Sequence, residues 1–209
     1  MKKLFISIAI MLLPFILSGC PVTVLLSSMP GKVNLAYIPK PNVKPLAGSK
    51  NIAVHVAVSD LRKHKKVGNK RIFPSDIVMA AIYSKQNIAY VFKTALEKEL
   101  KAKGFKTGSG SNANVNVLAD ITYFYNNYGI GFMSQSAVAK IAFSVNVVNK
   151  EGKIIYSNSY IAHGKLSGTG VIIGSSMDAG IALNKALKKG IKKLFSDRNF
   201  INSLLSAKQ

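Results

Sequence analysis

Val115-Asn116-Val117-Leu118-Ala119-Asp120-Ile121-Thr122-Tyr123-Phe124-Tyr125-Asn126 decides the fold class of this chain. Val115, Val117, Ala119, Ile121, Tyr123 and Tyr125 alternate with Asn116, Asp120, Thr122 and Asn126. A period of two turns alternate side chains to opposite faces, so the spacing predicts a half-buried strand. Ala137 to Val148 repeats the pattern with Ile141, Phe143, Val145 and Val147. Asn149-Lys150-Glu151-Gly152 reads as a hairpin turn into a third strand, Ile154 to Ala162, with Tyr156 and Tyr160 on one face. Three strands in succession predict an antiparallel meander.

Working outward, the residues on either side read as helices and further strands. Gln86 to Lys103 places Ile88, Phe92, Ala95, Leu96 and Leu100 on one helical face, with Glu97–Lys101 and Glu99–Lys103 as i,i+4 pairs and Gly104 as a stop. Ser175 or Ser176 can cap a helix to about Phe195, with Ala179, Leu183, Leu187, Ile191, Leu194 and Phe195 on one face. Lys185, Lys188, Lys189, Lys192 and Lys193 crowd its other surface. Asp197 is placed to cap a short last helix carrying Phe200, Ile201, Leu204 and Leu205. Asn51 to Val58 is β-branched and apolar, as a buried strand should be, and Val78 to Tyr83 reads as a returning strand. The expected fold is α+β: a mostly antiparallel sheet of four to five strands, two main helices packed on one face, and an extended N-terminal tether.

The N-terminus gives an address. Lys2 and Lys3 precede an apolar run from Leu4 to Leu17, about 14 residues and short of the ~20 that span a bilayer. Small residues then lead to Cys20, the single cysteine. A basic start, an apolar centre and small residues at the cut form a secretory signal over residues 1–19. Residues 20–50 hold five of the seven prolines and read as a tether, in which Val33 to Ile38 can add an edge strand or dock on a partner. Residues 51–209 read as a single domain. After cleavage no cysteine remains, which removes disulfides, zinc-thiolate sites and thiol catalysis.

The chain carries 29 Lys+Arg against 8 Asp+Glu, a net charge of +21 that falls to about +19 once Lys2 and Lys3 leave with the signal. Such an excess is drawn to polyanions. Outside the cytoplasm these are lipopolysaccharide, anionic lipid headgroups, cell-wall polymers and acidic proteins, and nucleic acid is not expected as a partner.

Candidate sites are few. His55, His64 and His163 match no metal-ligand spacing, and Asp60 and Asp120 read as strand carboxylates paired with lysines. Gly168-Thr169-Gly170-Val171-Ile172-Ile173-Gly174 lacks both the dinucleotide and the Walker pattern. No catalytic residue, metal or cofactor is expected. Arg62, Lys63, Lys65, Lys66, Lys70 and Arg71 form a basic loop, read either as plain solvated chain or as an anion or partner contact. In a meander the loop with Phe132 and Met133 and the segment with Ile172 and Ile173 gather at one end of the sheet, as a core lid or as an exposed contact.

Two resemblances sharpen the address. Leu17-Ser18-Gly19-Cys20 resembles the bacterial lipobox, whose cysteine thiol carries a diacylglycerol, and Pro21, not Asp, implies sorting to the outer membrane. The strand at Asn51–Val58, the stretch from Asn87-Ile88-Ala89 through Leu96-Glu97-Lys98-Glu99 to Lys103-Gly104-Phe105, the Val115-Asn116-Val117 and Ala137–Val148 strands, and Asp197 with Phe200-Ile201 resemble YajG-type lipoproteins in order. The resemblance implies an outer-membrane lipoprotein with its domain in the periplasm and no active-site residues to transfer. The expected role is a scaffold or accessory subunit of an envelope assembly, for which a secretion-system outer-membrane complex is the analogy. The alternative is a binding module for lipopolysaccharide or cell-wall polymer.

Overall fold

The computed structural model describes residues 29–41, 43–72, 75–131, 134–169 and 176–207. Cys20, Phe132, Met133, Ile172 and Ile173 lie outside the described residues. In chain order the elements are β1 (Gly31–Val33), β2 (Ala53–Asp60), β3 (Gly68–Ile72), β4 (Ile77–Ser84), α1 (Ile88–Ala102), β5 (Lys106–Thr107), β6 (Val115–Gly131), β7 (Ser134–Asn149), β8 (Ile154–Thr169), α2 (Met177–Ser196) and α3 (Arg198–Ser206).

The α+β class and the β6–β7–β8 meander stand, but the expected sheet of four to five strands was too small. Eight strands form one mixed sheet. β7 pairs antiparallel with both β6 and β8. On its other side β6 is flanked twice: β2 runs parallel to it from Val54↔Val115 to Asp60↔Ile121, and β3 runs parallel to it from Gly68↔Asn126 to Ile72↔Ile130. β4 then pairs antiparallel with β3, β1 parallel with β4, and β5 parallel with β2. β2, β3 and β6 run in one direction because β4 and α1 together carry the chain back to the end at which β2 starts. The extra strands were hidden by shortness or by charge: β1 and β5 have three and two residues, and β3 reads Gly-Asn-Lys-Arg-Ile.

α1 and α2 cover one face. Asn87 caps α1 by accepting from the Tyr90 N–H at 3.1 Å, and Gly104 (φ +92°) ends it. Of the expected ion pairs, Glu97 instead faces Lys93 at 3.9 Å, and Glu99 is buried, accepting the Tyr37 hydroxyl at 2.7 Å. α2 lies close to the sheet because its inner stripe is small: Ala179, Gly180, Ala182, Ala186 and Gly190 are buried beside Leu183, Leu187 and Ile191. Phe92 of α1 meets Phe143 of β7 edge-on at 4.7 Å. α3 is capped as expected by Asp197, whose carboxylate accepts the Asn199 and Phe200 N–H groups.

Part of the segment read as tether lies on the domain. Val33, Leu35 and Tyr37 are buried in the core cluster. Gln86 accepts the Leu35 N–H and Asn184 accepts the Ala36 N–H, at 3.1 and 3.0 Å.

The largest correction concerns β6. A bulge between Ile121 and Tyr123 shifts its register against β7. One extra residue exchanges the two faces of a strand. Up to Ile121 the odd-numbered residues are buried; beyond it Phe124, Asn126 and Tyr128 are buried instead. Tyr123, expected on the core side, is 40% exposed.

Candidate basic–aromatic groove

β2 leaves β6 at Ile121 and β3 joins it at Asn126, so residues 122–125 have no strand beside them on that edge. The loop between β2 and β3 fills the gap. Leu61 N–H donates to the Ile121 carbonyl at 2.9 Å, and Asn126 N–H donates to the Val67 carbonyl at 2.8 Å. Arg62 completes the patch. Its guanidinium makes two 2.7 Å bonds to the Asp60 carboxylate and donates to the Lys66 and Phe124 carbonyls at 3.4 Å. The arginine side chain is 8% exposed, and its bonds hold the Asp60 carboxyl below the ordinary range. A pairing of an aspartate with a neighbouring cation was the expectation for Asp60, with lysine in place of arginine.

The bulge and this loop together open a groove of about 440 Å³ on the face away from the helices. Leu61, Arg62, Lys63, His64 and Lys66 line one side, and Thr122 to Tyr125 the other. The Tyr123 and Tyr125 rings lie 6.0 Å apart at 53°. Lys140 of β7 sets its ammonium 5.5 Å from the Tyr123 ring centre, a cation–π geometry. Burial pushes the Tyr125 hydroxyl up from its ordinary range. Leu61 is 60% exposed. Aromatic and apolar surface ringed by cations suits a ligand with a flat or apolar body and negative groups at its rim.

The structure separates the six cations of the expected basic loop. Lys63 and Lys65 are exposed, and Lys63 and Lys66 line the groove. Arg62 is spent on the loop itself. Lys70 and Arg71 belong to β3, which corrects their reading as loop. Lys70 is buried on the helix-covered face, where its ammonium donates to the Met29 carbonyl at 3.1 Å and burial pulls its pKa down. Arg71 pairs with Asp76 at 3.0 Å. Tyr123, Tyr125, Leu61, His64 and Lys140 were missed as site residues. The signal available was the run Tyr123-Phe124-Tyr125, in which both phases of the strand carry an aromatic ring.

For the two apolar segments, the strand ends that flank them do come together: Gly131 pairs with Ser134, and Ser134 with Thr169. Among the described residues, no three His, Cys, Asp or Glu side chains are grouped to hold a metal ion. A further polar cluster is structural: Asp197 accepts both the Tyr156 and Tyr160 hydroxyls, at 2.7 and 2.8 Å.

The sequence profile of a family described as uncharacterized lipoprotein matches residues 39–204. The chain belongs to that family. It is therefore an envelope-associated, lipid-anchored protein. Among its described residues no helix is long and apolar enough to cross a membrane. Comparison with curated proteins finds no match. Among solved structures, protein XCC0632 from Xanthomonas campestris is 12% identical, with a TM-score of 0.53 over 85% of this chain and 95% of that one, and shows a shared fold. A minor lipoprotein from Acinetobacter baumannii aligns at 10% identity and a TM-score of 0.36, over 65% and 94% of the two chains. Lipoprotein GNA1162 from Neisseria meningitidis aligns at 8% and 0.34, over 70% and 99%.

Proposed function

We propose that this lipoprotein is a non-catalytic, YajG-type component of the outer membrane, anchored through Cys20, that serves as a scaffold or accessory subunit of an envelope protein assembly. The observation that supports it most is the groove. An aromatic pair and an exposed leucine, rimmed by Lys63, His64, Lys66 and Lys140, have the composition of a docking site: aromatic at the centre and charged at the rim. Anchoring on the membrane raises the local concentration of the groove, so that modest contacts suffice. Nucleic acid is not a partner in this compartment. The test is purification of the native lipidated protein in mild detergent. The wild type should travel in a large particle with stoichiometric envelope proteins, and Tyr123→Ser with Lys63→Glu should release it. A wild-type protein that purifies alone overturns the scaffold reading.

The cationic rim supports a second reading, in which the groove takes an anionic envelope polymer, with sugar rings on the tyrosines and phosphate or carboxylate on the lysines. That reading predicts binding to lipopolysaccharide or cell-wall fragments that falls steeply between low and physiological salt.

A further inference from the structure

The direction in which the chain enters the fold shows which end of the sheet faces the lipid. β1 runs parallel to β4, and β4 runs away from the Ile72–Ile77 turn. Traced backwards from Gly31, the chain therefore heads towards that turn. Met29 already sits level with Lys70, which donates to its carbonyl, and Lys70 is registered with Tyr128, three residues from the end of β6. At about 3.3 Å per residue, Met29 lies some 10 Å from the end of the sheet marked by Ile72, Ile77 and Gly131.

Chain length then separates the two ends. Cys20 precedes Met29 by nine residues, which span at most about 30 Å when extended. From the level of Tyr128 to Val115, at the opposite end beside the Asn149–Ile154 hairpin, is about 43 Å at the same rise. An anchor on Cys20 cannot reach a membrane lying beyond the hairpin end. It reaches one lying at the Ile72–Ile77 end with chain to spare.

That near end is also apolar. Ile77 is 58% exposed, Val78 50%, Met29 52% and Ile72 36%. Arg71 and Asp76 beside them are paired with each other, and the chain as a whole carries a large positive excess suited to anionic headgroups. We infer that Ile77, Val78, Ile72 and Met29 form a membrane-resting end, which holds β6 to β8 pointing away from the lipid. The groove at residues 122–125 then stands about 20–30 Å from the surface, six to nine residues along β6 from Gly131. This inference rests on the lipid anchor proposed above.

The chain contains no tryptophan, so single replacements report position directly. The full lipidated protein, as I77W, V78W or I154W, is placed in phosphatidylethanolamine–phosphatidylglycerol vesicles with or without brominated acyl chains. Ile154, also 58% exposed, marks the hairpin end. Flotation and circular dichroism check anchoring and folding of each variant. The expected result is a blue shift and loss of most emission to bromine for I77W and V78W, with I154W unchanged. Floating protein in which I77W and V78W are unquenched, or in which I154W is quenched as strongly, overturns the orientation while leaving the anchor in place. Protein that fails to float overturns the anchor, and the orientation with it.

Discussion

Gly164→Ala should be among the most damaging single-methyl changes available in this protein. Gly164 lies on β8 facing α2, and a Cβ there would sit 2.0 Å from the Ala182 carbonyl oxygen and 2.6 Å from the Ala186 nitrogen. Non-bonded heavy atoms rest at about 3.5 Å, so the helix would have to lift by about 1.5 Å. Both obstacles are backbone, so no rotamer change relieves them. Lifting α2 opens its seam of Ala182, Leu183, Ala186 and Leu187 against the sheet. Overpacking ordinarily costs about 1–3 kcal/mol, and with no side chain free to move the cost here should reach about 3 kcal/mol or more. Gly190→Ala is the control. Its methyl would meet Ile141 Cδ1 at 2.7 Å and Phe143 Cε1 at 3.0 Å, both ends of side chains. They can shift, and alanine gains about 1 kcal/mol of helix propensity over glycine, so this change should lie within about 1 kcal/mol of wild type. Urea unfolding at unchanged slope gives both values. A Gly164→Ala loss under about 1 kcal/mol, or one no larger than that of Gly190→Ala, would refute the close backbone contact.

Other expectations test the remaining features. Asp197→Ala removes a cap worth about 1 kcal/mol and takes the carboxylate from the Tyr156 and Tyr160 hydroxyls, which keep only their bond to each other, so about 2–4 kcal/mol should be lost in chemical denaturation. The Tyr156 hydroxyl above all, with the Tyr160 hydroxyl and the α3 N–H groups, lowers the Asp197 carboxyl from 3.8 to about 2. Its contribution is therefore complete above pH about 4 and is lost as pH falls towards 2, a slope that should be weaker in Asp197→Asn. Arg62→Ala strips donors from the Phe124 and Lys66 carbonyls and the partner from Asp60, and should cost about 1–3 kcal/mol by urea unfolding. Deletion of Thr122 should remove the bulge and leave a regular strand with Phe124, Asn126 and Tyr128 still facing inward, so cooperative unfolding is retained; a deletion variant that no longer unfolds cooperatively would contradict the bulge. Tyr125→Ser should change stability little while weakening whatever fills the groove, read by unfolding and by co-purification side by side.

Much of the architecture was open to reading because it rests on long periodic segments. The meander, both main helices, the Asp197 cap and the turn at Gly152 follow from spacing and local chemistry alone. The parallel neighbours of β6 do not, since pairing between distant segments leaves no periodic mark. Lys70 shows the same gap: a lysine between Asn69 and Arg71 reads as solvated, and only the partners β4 and β6 bury it. The groove was half visible. Its cations stood out as a cluster, whereas its tyrosines were assigned to the core because a one-residue bulge has no signature in an otherwise unbroken alternation.

β1 has a mechanical role that follows from its pairing. Three residue pairs join it to β4, and the Gln86 and Asn184 amides grip the chain just beyond. Tension between a membrane and a partner seated further along the domain would pass through this joint. Pulled from Met29, β1 would slide lengthwise along β4, so its ladder, the two amide grips and the buried Val33, Leu35 and Tyr37 would resist together in shear. The protein is built so that the strand nearest its anchor is short in length and loaded in its stronger direction.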